Sequence, residues 1–212
     1  MSQLEQLFPQ LGLDFLKVLE EEGMHREYMA GSTILQAGSY IRSTMLVLKG
    51  LIKVYREDDE GNEFFMYYLQ PGQACAISII CATKSEKSQV TAKAVDDSEL
   101  LLIPFTKLEQ WMNEYRSWYE FVIETYRNRF EEVLTVIDSI AFLNMDERLE
   151  FYLKRHFDQC KCNDIELTHQ EIATELNSSR EVISRLLKKM EQKGLIILHR
   201  NHIELKSAFH SL

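Results

Sequence analysis

The sequence predicts an α+β protein in three parts: an all-β sandwich or barrel behind short N-terminal helices, one long helix, and a winged helix-turn-helix. Three observations carry this. From about residue 27 to 103, short apolar or alternating runs are punctuated by Gly31, Gly38, Gly50, Gly61 and Gly72, as in chains of short strands joined by turns. From 105 to about 139 there is no glycine or proline. Residues 167–205 hold two short helical patterns around a polar joint, then a small hairpin pattern. A chain of 212 residues allows one or two domains of about 100–200 residues each.

In chain order, Phe8, Leu11, Leu13, Phe15, Leu16 and Leu19 would pack short helices at 4–23 onto the β region. Strands are expected at 33–36, 44–48, 51–56, 63–69, 89–94 and 100–103. The clearest hairpin joins 51–55 to 64–68 through the acidic tip 57–62, where Gly61 suits a positive φ. Pro104 ends the last strand and fits the start of a helix, where its missing N–H costs nothing. Leu108, Trp111, Met112, Tyr115, Trp118, Val122, Tyr126, Phe130, Val133, Ile137 and Ile140 then recur every three or four residues. A continuous helix here would be about 50 Å long. Part of its stripe can cover the β domain. The part from about Val122 to Ile140 is best buried against a second copy, as a coiled coil. Phe142, Leu143, Asn144 and Met145 read as a hinge, and 146–157 as a further amphipathic helix. The domains expected are 1–104, 105–143 and 144–212.

The last segment carries the chemistry. Thr168 and Glu171 make a capping box, so a helix should start at His169. Ser178 and Glu181 make a second, opening a helix with Val182, Ile183, Leu186, Leu187 and Met190 on one face. Gly194 should stop it. Residues 195–199 and 202–205 read as a wing turning at Arg200 and Asn201. The second helix holds Arg180, Arg185, Lys188, Lys189 and Lys193 against Glu181 and Glu191. Its N-terminal end, the part that enters a major groove, lies off the apolar stripe. Arginine can pair with guanine O6 and N7, and glutamate can accept from cytosine N4.

Charge supports that division. Net charge is −9, yet residues 168–212 hold seven basic and five acidic residues, and the rest hold seventeen and twenty-eight. An acidic sensing module joined to a basic reader is the expectation. No apolar run approaches the ~20 residues of a membrane span and no secretory signal is evident, so a cytoplasmic protein is expected. Cys75, Cys81, Cys160 and Cys162 are not expected to form a disulfide framework; a reducing compartment fits them better. No nucleophile motif, phosphate-binding glycine loop or paired carboxylates mark an enzyme. His156, Cys160 and Cys162 lack an evident fourth ligand, so no metal is assigned.

This order of parts, with Ser179-Arg180-Glu181 and Ser184-Arg185 on the second helix, resembles the catabolite activator and fumarate–nitrate regulator (CRP/FNR) family of bacterial transcription factors. The resemblance implies a double-stranded β-helix (a cyclic-nucleotide-binding-like jelly roll), a homodimer held by the long helices (Val122, Tyr126, Phe130, Val133, Ile137), and a palindromic DNA target. It implies base reading by Ser179, Arg180, Glu181, Ser184 and Arg185 at TGTGA- or TTGAT-like half-sites. Thr168, His169, Gln170 and Lys188 would meet phosphates. RNA polymerase is an implied partner if the protein activates.

The effector loop departs from the family pattern. After Gly72 and Cys75, Ala76 and Ile77 stand where cyclic-nucleotide binders have glycine and glutamate, and Ser88 and Gln89 where they have arginine and serine. Lys84, Lys87 and Lys93 cannot make the bidentate fork that a buried cyclic phosphate wants. An effector or redox signal other than cyclic AMP is therefore expected, with no cofactor assigned. With no cysteine before Cys75, the family's N-terminal iron–sulfur cluster is not expected. Cys75 and Cys81 can be a thiol switch, Cys75 with His25 can be haem ligands, or the pair can be buried apolar residues.

Overall fold

The computed structural model describes residues 2–57, 63–79, 87–160, 162–200 and 202–211. The acidic hairpin tip 58–62, Cys81, Lys84 and Asn201 lie outside them. By contacts the chain divides into two units, Met1–Glu57 with Met66–Val133, and Asp58–Phe65 with Leu134–Leu212.

The first unit opens with helix α1 (Gln3–Leu7), capped by the Ser2 hydroxyl, a 3-10 turn at Pro9–Leu11 and α2 (Leu13–Glu22). Among the described residues, seven strands come next: β1 (Met24–Tyr28), β2 (Thr33–Leu35), β3 (Ser43–Lys49), β4 (Ile52–Glu57), β5 (Glu63–Leu69, its first three residues counted with the second unit), β6 (Thr91–Ala94) and β7 (Ser98–Pro104). They form two sheets, ordered β1-β7-β3 and β2-β6-β4-β5. β7 runs antiparallel to both β1 and β3, and β6 antiparallel to both β2 and β4. The sequence pattern does not anticipate β1. Four of its five residues are exposed, so no alternation marks it, and it is held by backbone pairing to β7 from Met24–Leu102 to Tyr28–Ser98. Gly50 turns β3 into β4 at φ 86°, and a Cβ there would collide with Ser98.

The sheets enclose Val47, Ile52, Val54, Tyr67, Leu69, Cys75, Val90, Ala92 and Leu100. A second cluster joins Phe8, Phe15, Leu19, Leu46, Leu101, Trp111, Trp118 and Val122. Here the expected continuous helix is corrected. It is two helices, α3 (Phe105–Glu114) and α4 (Arg116–Phe142), broken at Tyr115, whose backbone is extended at φ −118°, ψ 104°. The break lets both helices use one aromatic cluster. Phe15 stands edge-on to Trp111 at 5.2 Å and packs on Tyr115 at 4.7 Å and Trp118 at 5.5 Å. At 27 residues, α4 is about 40 Å long.

In the second unit, two residues, Leu143 and Asn144, separate the end of α4 from α5 (Met145–Cys160). The Asn144 side chain accepts from Glu147 N, and the Glu147 carboxylate accepts from Asn144 N, so the expected hinge contains a reciprocal cap. Then come β8 (Asp164–Ile165), α6 (His169–Glu175), α7 (Arg180–Gln192), β9 (Ile196–Leu198) and β10 (Ile203–Leu205). The wing has three strands, β8-β10-β9. β8 is too short to show a period in the sequence. Leu149, Leu153, Phe157, Ile172, Ile183, Leu187, Ile196, Ile203 and Phe209 form the core beneath.

Cys160 and Cys162 are joined by a disulfide, their Cα atoms 5.1 Å apart. That departs from the expectation of unpaired cysteines for these two, which stand two positions apart in the sequence at the end of α5.

Candidate nucleic-acid interface

The reader is built by local chemistry. Thr168 caps α6, its hydroxyl accepting from Glu171 N while the Glu171 carboxylate accepts from Thr168 N. Helix α6 stops at Leu176, and Asn177 takes φ 50°, a conformation asparagine tolerates better than most residues. Ser178 N donates back to Ala173 O at 2.8 Å. The cap of α7 is therefore Ser179, one residue later than expected, accepting from Val182 N at 3.3 Å. The anticipated Ser178–Glu181 box is not formed, because the turn uses Ser178 to close α6. Gly194, at φ 74°, ends α7 as expected.

Ile183, Leu186, Leu187 and Met190 bury one face of α7. The opposite face presents Ser179, Arg180, Glu181, Arg185 and Lys188, all exposed, with Ser184 half-buried beside them. The Glu181 carboxyl is held below its ordinary range by its own backbone N–H and then by the Ser179 hydroxyl, so it is an acceptor at neutral pH. Ser179 thus has two jobs, capping the helix and fixing Glu181. Lys189, basic but off the N-terminal set, pairs with Asp146 at 2.6 Å, tying α7 to α5. Arg148 donates to Leu176 O at 3.1 Å and supports the turn from beneath.

A groove of about 500 Å³ runs between α6, the start of α7 and the wing, lined by Thr168, His169, Gln170, Arg180, His199 and Arg200 among others. Thr168 and Gln170 are exposed. His169 is half-buried, and its Nδ1 lies 2.8 Å from Ser184 Oγ. Only Nε2 is left for a phosphate. Burial, and then the neighbouring Arg180, lower the His169 pKa. On the wing, the His199 and His202 rings stack at 4.0 Å, with Glu204 3.0 Å from His199 Nε2 and Asp164 3.7 Å from His202 Nε2. No sequence signal marked this pair, whose partners come from different strands.

In the first unit the effector-loop residues are stitched along β3: Gly72 N donates to Val47 O, Val47 N to Gln73 O, and Cys75 N to Met45 O. Cys75 and Ala76 are buried, Ile77 is half-buried and Gln89 is exposed. The buried Ser88 hydroxyl donates to Val90 O at 2.7 Å, so its proton is already committed. Cys75 is enclosed in the β core, whereas His25 faces solvent on β1. Among the described residues, no group of three or more histidine, cysteine or acidic side chains is arranged to hold a metal.

Sequence reasoning missed Arg129, which reaches the sensor from α4. Its guanidinium lies 4.0 Å from the Tyr67 ring centroid, pairs with Glu132 at 2.7 Å and approaches Gln73 Oε1 at 3.4 Å. Burial, with Cys75 next in effect, pushes the Tyr67 phenol well above its ordinary pKa. The Arg129 side chain borders a groove of about 660 Å³ with Gln10, Gln73, Glu124 and Asn128 among its other walls.

The helical seam also needs correction. Val122 is only 2% exposed and belongs to the chain's own core. Tyr126 is half-buried and its hydroxyl donates to Ala76 O at 2.6 Å. The apolar residues left uncovered are Ile123, Phe130, Val133, Leu134, Ile137, Ile140 and Phe142. Ile123, Phe130 and Ile137 are seven apart, as are Val133 and Ile140, which is the heptad spacing of a coiled-coil seam.

A winged helix-turn-helix with a cationic, capped second helix, on a chain whose other unit is a β-roll, defines a DNA-binding regulator. Comparison with known proteins agrees. Residues 25–115 match the cyclic nucleotide-binding domain family, and residues 142–208 the Crp-like helix-turn-helix domain family. The cAMP-activated global transcriptional regulator CRP of Haemophilus influenzae is 27% identical over 179 residues, spanning 82% of this chain and 80% of its own. The global nitrogen regulator of Nostoc is also 27% identical, spanning 81% and 80%. A solved transcriptional regulator of the crp/fnr family from Eubacterium rectale superposes with a TM-score of 0.78 at 26% identity over 98% of both chains. The chain belongs to the CRP/FNR family of DNA-binding transcription regulators, which are not enzymes.

Proposed function

We propose that the protein acts as a homodimer reading a palindrome of TGTGA- or TTGAT-like half-sites, under an effector or redox signal other than cyclic AMP. The observation that carries this is the set Ser179, Arg180, Glu181, Ser184 and Arg185 at the N-terminal end of α7, exposed but for the half-buried Ser184. Glu181 and Arg185 read the GA shared by the two half-sites, and Arg180 and Ser184 read the outer bases. Thr168, Gln170 and Lys188, all exposed, meet phosphates, which position the protein without specifying sequence. His169 is left with one nitrogen for that role.

Dimerisation is supported by the exposed heptad on α4 and by the need of such readers to meet two half-sites one DNA turn apart. The signal is placed away from cyclic AMP because Ala76 and Ile77 carry no carboxylate, Ser88 is bonded to its own turn, and Arg129 is engaged by Glu132. The domains act as sensor, 1–104, seam and hinge, 105–143, and reader, 144–212. The protein meets its DNA in the cytoplasm, and RNA polymerase as well if it activates. No helix among the described residues is long and apolar enough to cross a membrane.

A mobility-shift titration against duplexes with two half-sites, one, or none tests this reading. Binding that needs both half-sites and weakens steeply with salt through counterion release supports it. Equal binding to all three contradicts it. A calorimetric titration with cyclic AMP is expected to be silent, and micromolar binding would overturn that part.

A further inference from the structure

We infer that His169 is a positioning residue for Ser184, and that the protonation of its imidazole decides whether the Ser184 hydroxyl offers DNA a hydrogen or a lone pair. This rests on the proposed reading of an outer base by Ser184. The juxtaposition crosses the motif: His169 stands in the first turn of α6 and Ser184 in the second turn of α7, with Nδ1 and Oγ 2.8 Å apart. Both are half-buried, and the flanking Arg180 and Arg185 are exposed. Ser184 therefore meets DNA already carrying one hydrogen bond.

The consequence lies in the donor inventory. A neutral imidazole with bare Nδ1 takes the Ser184 hydrogen, leaving oxygen lone pairs toward the groove. An imidazolium must donate from Nδ1 to Oγ, which frees the Ser184 hydrogen for a base. Thymine presents the O4 acceptor and cytosine the N4 amino donor in the major groove. Neither has a purine N7 to blur the contrast. Neutral pH thus favours cytosine, whose amino group donates to the oxygen, and acid admits thymine as well, so the thymine-to-cytosine ratio rises on acidification.

The charged and titratable groups around His169 are Arg180 from α7, Glu171 from its own helix, and His199, Arg200 and His202 from the wing. Glu171 is committed to its cap. Burial and then Arg180 disfavour the imidazolium, so the free protein holds His169 neutral at pH 7 and the change falls on the acid side. A change felt only at the phosphates acts on every sequence alike, so it cancels in a ratio of two sites.

The experiment is a competition mobility shift with the full chain. Duplexes differing only by thymine or cytosine at the outer position are compared at about pH 5 and about pH 8, the range in which histidine changes charge. The wild type is expected to raise its thymine-to-cytosine ratio by about 3- to 10-fold on acidification, the size of one neutral hydrogen bond. His169→Asn, whose amide can occupy the Nδ1 position without titrating, gives one ratio at both pH values; loss of the Nε2 phosphate contact weakens both duplexes alike and cancels in the ratio. Ser184→Ala loses the thymine–cytosine discrimination at both. A wild-type ratio that does not move with pH, with Ser184→Ala still relaxing the outer base, overturns the positioning role and leaves the reading intact. Discrimination unchanged in Ser184→Ala overturns the reading, and the inference with it.

Discussion

Replacing Phe130 by alanine should separate the subunits without unfolding either. Phe130 is 64% exposed in the single chain. An aromatic side chain buries roughly 150–250 Å², so covering the exposed share removes roughly 130 Å² from water. At about 25 cal/mol per Å² that is roughly 3 kcal/mol per protomer. Alanine keeps a minor part, so the variant forfeits about 2 kcal/mol per protomer and about 4 kcal/mol per dimer, near a thousandfold in dissociation constant. Sedimentation equilibrium measures this directly, and thermal unfolding at high dilution provides the control. Val122→Ala should do the reverse, costing about 0.5–3 kcal/mol of folding stability, because that side chain is buried in its own chain. Unchanged self-association in Phe130→Ala, or a loss of dimer from Val122→Ala alone, would refute the assignment of the seam.

The reader offers three further predictions. Leu187 is fully enclosed, so Leu187→Ala should lower stability by about 2–5 kcal/mol in urea titrations and abolish operator binding near the melting temperature. Ser179→Ala removes the α7 cap and should cost about 1 kcal/mol; it should also raise the Glu181 pKa, measurable by NMR titration, since the Ser179 hydroxyl helps to hold it down. The folded state refuses a proton at His169 that the unfolded chain accepts near 6.5. Its contribution is therefore present above that pH and declines as pH falls toward the folded pKa. The urea midpoint of the wild type should drop in that window more than that of His169→Asn.

What was legible in the sequence tracked the range of the forces involved. Capping at Thr168, the α7 stripe and the Gly194 stop are set within one or two helical turns, and they were readable residue by residue. The cap of α7 slipped by one because Ser178 and Ser179 are chemically alike; only the positive φ of Asn177 decides between them. The break at Tyr115 was hidden because the apolar period runs through it, and Phe15, far earlier in the chain, is what makes the break favourable. Strand β1 was invisible because its stability comes from pairing with β7 rather than from its own side chains. Arg129 and the His169–Ser184 bond were missed for the same reason: each joins groups from different elements, and neither element's pattern betrays the other.

The most direct test of the central claim is a binding panel in which each base of one half-site is substituted in turn, with the wild type and Arg185→Ala compared. The account predicts that Arg185→Ala weakens the parent site by roughly 1–3 kcal/mol and loses discrimination at one base position only. Equal loss at every position, or a variant that discriminates as the wild type does, would contradict base reading by α7.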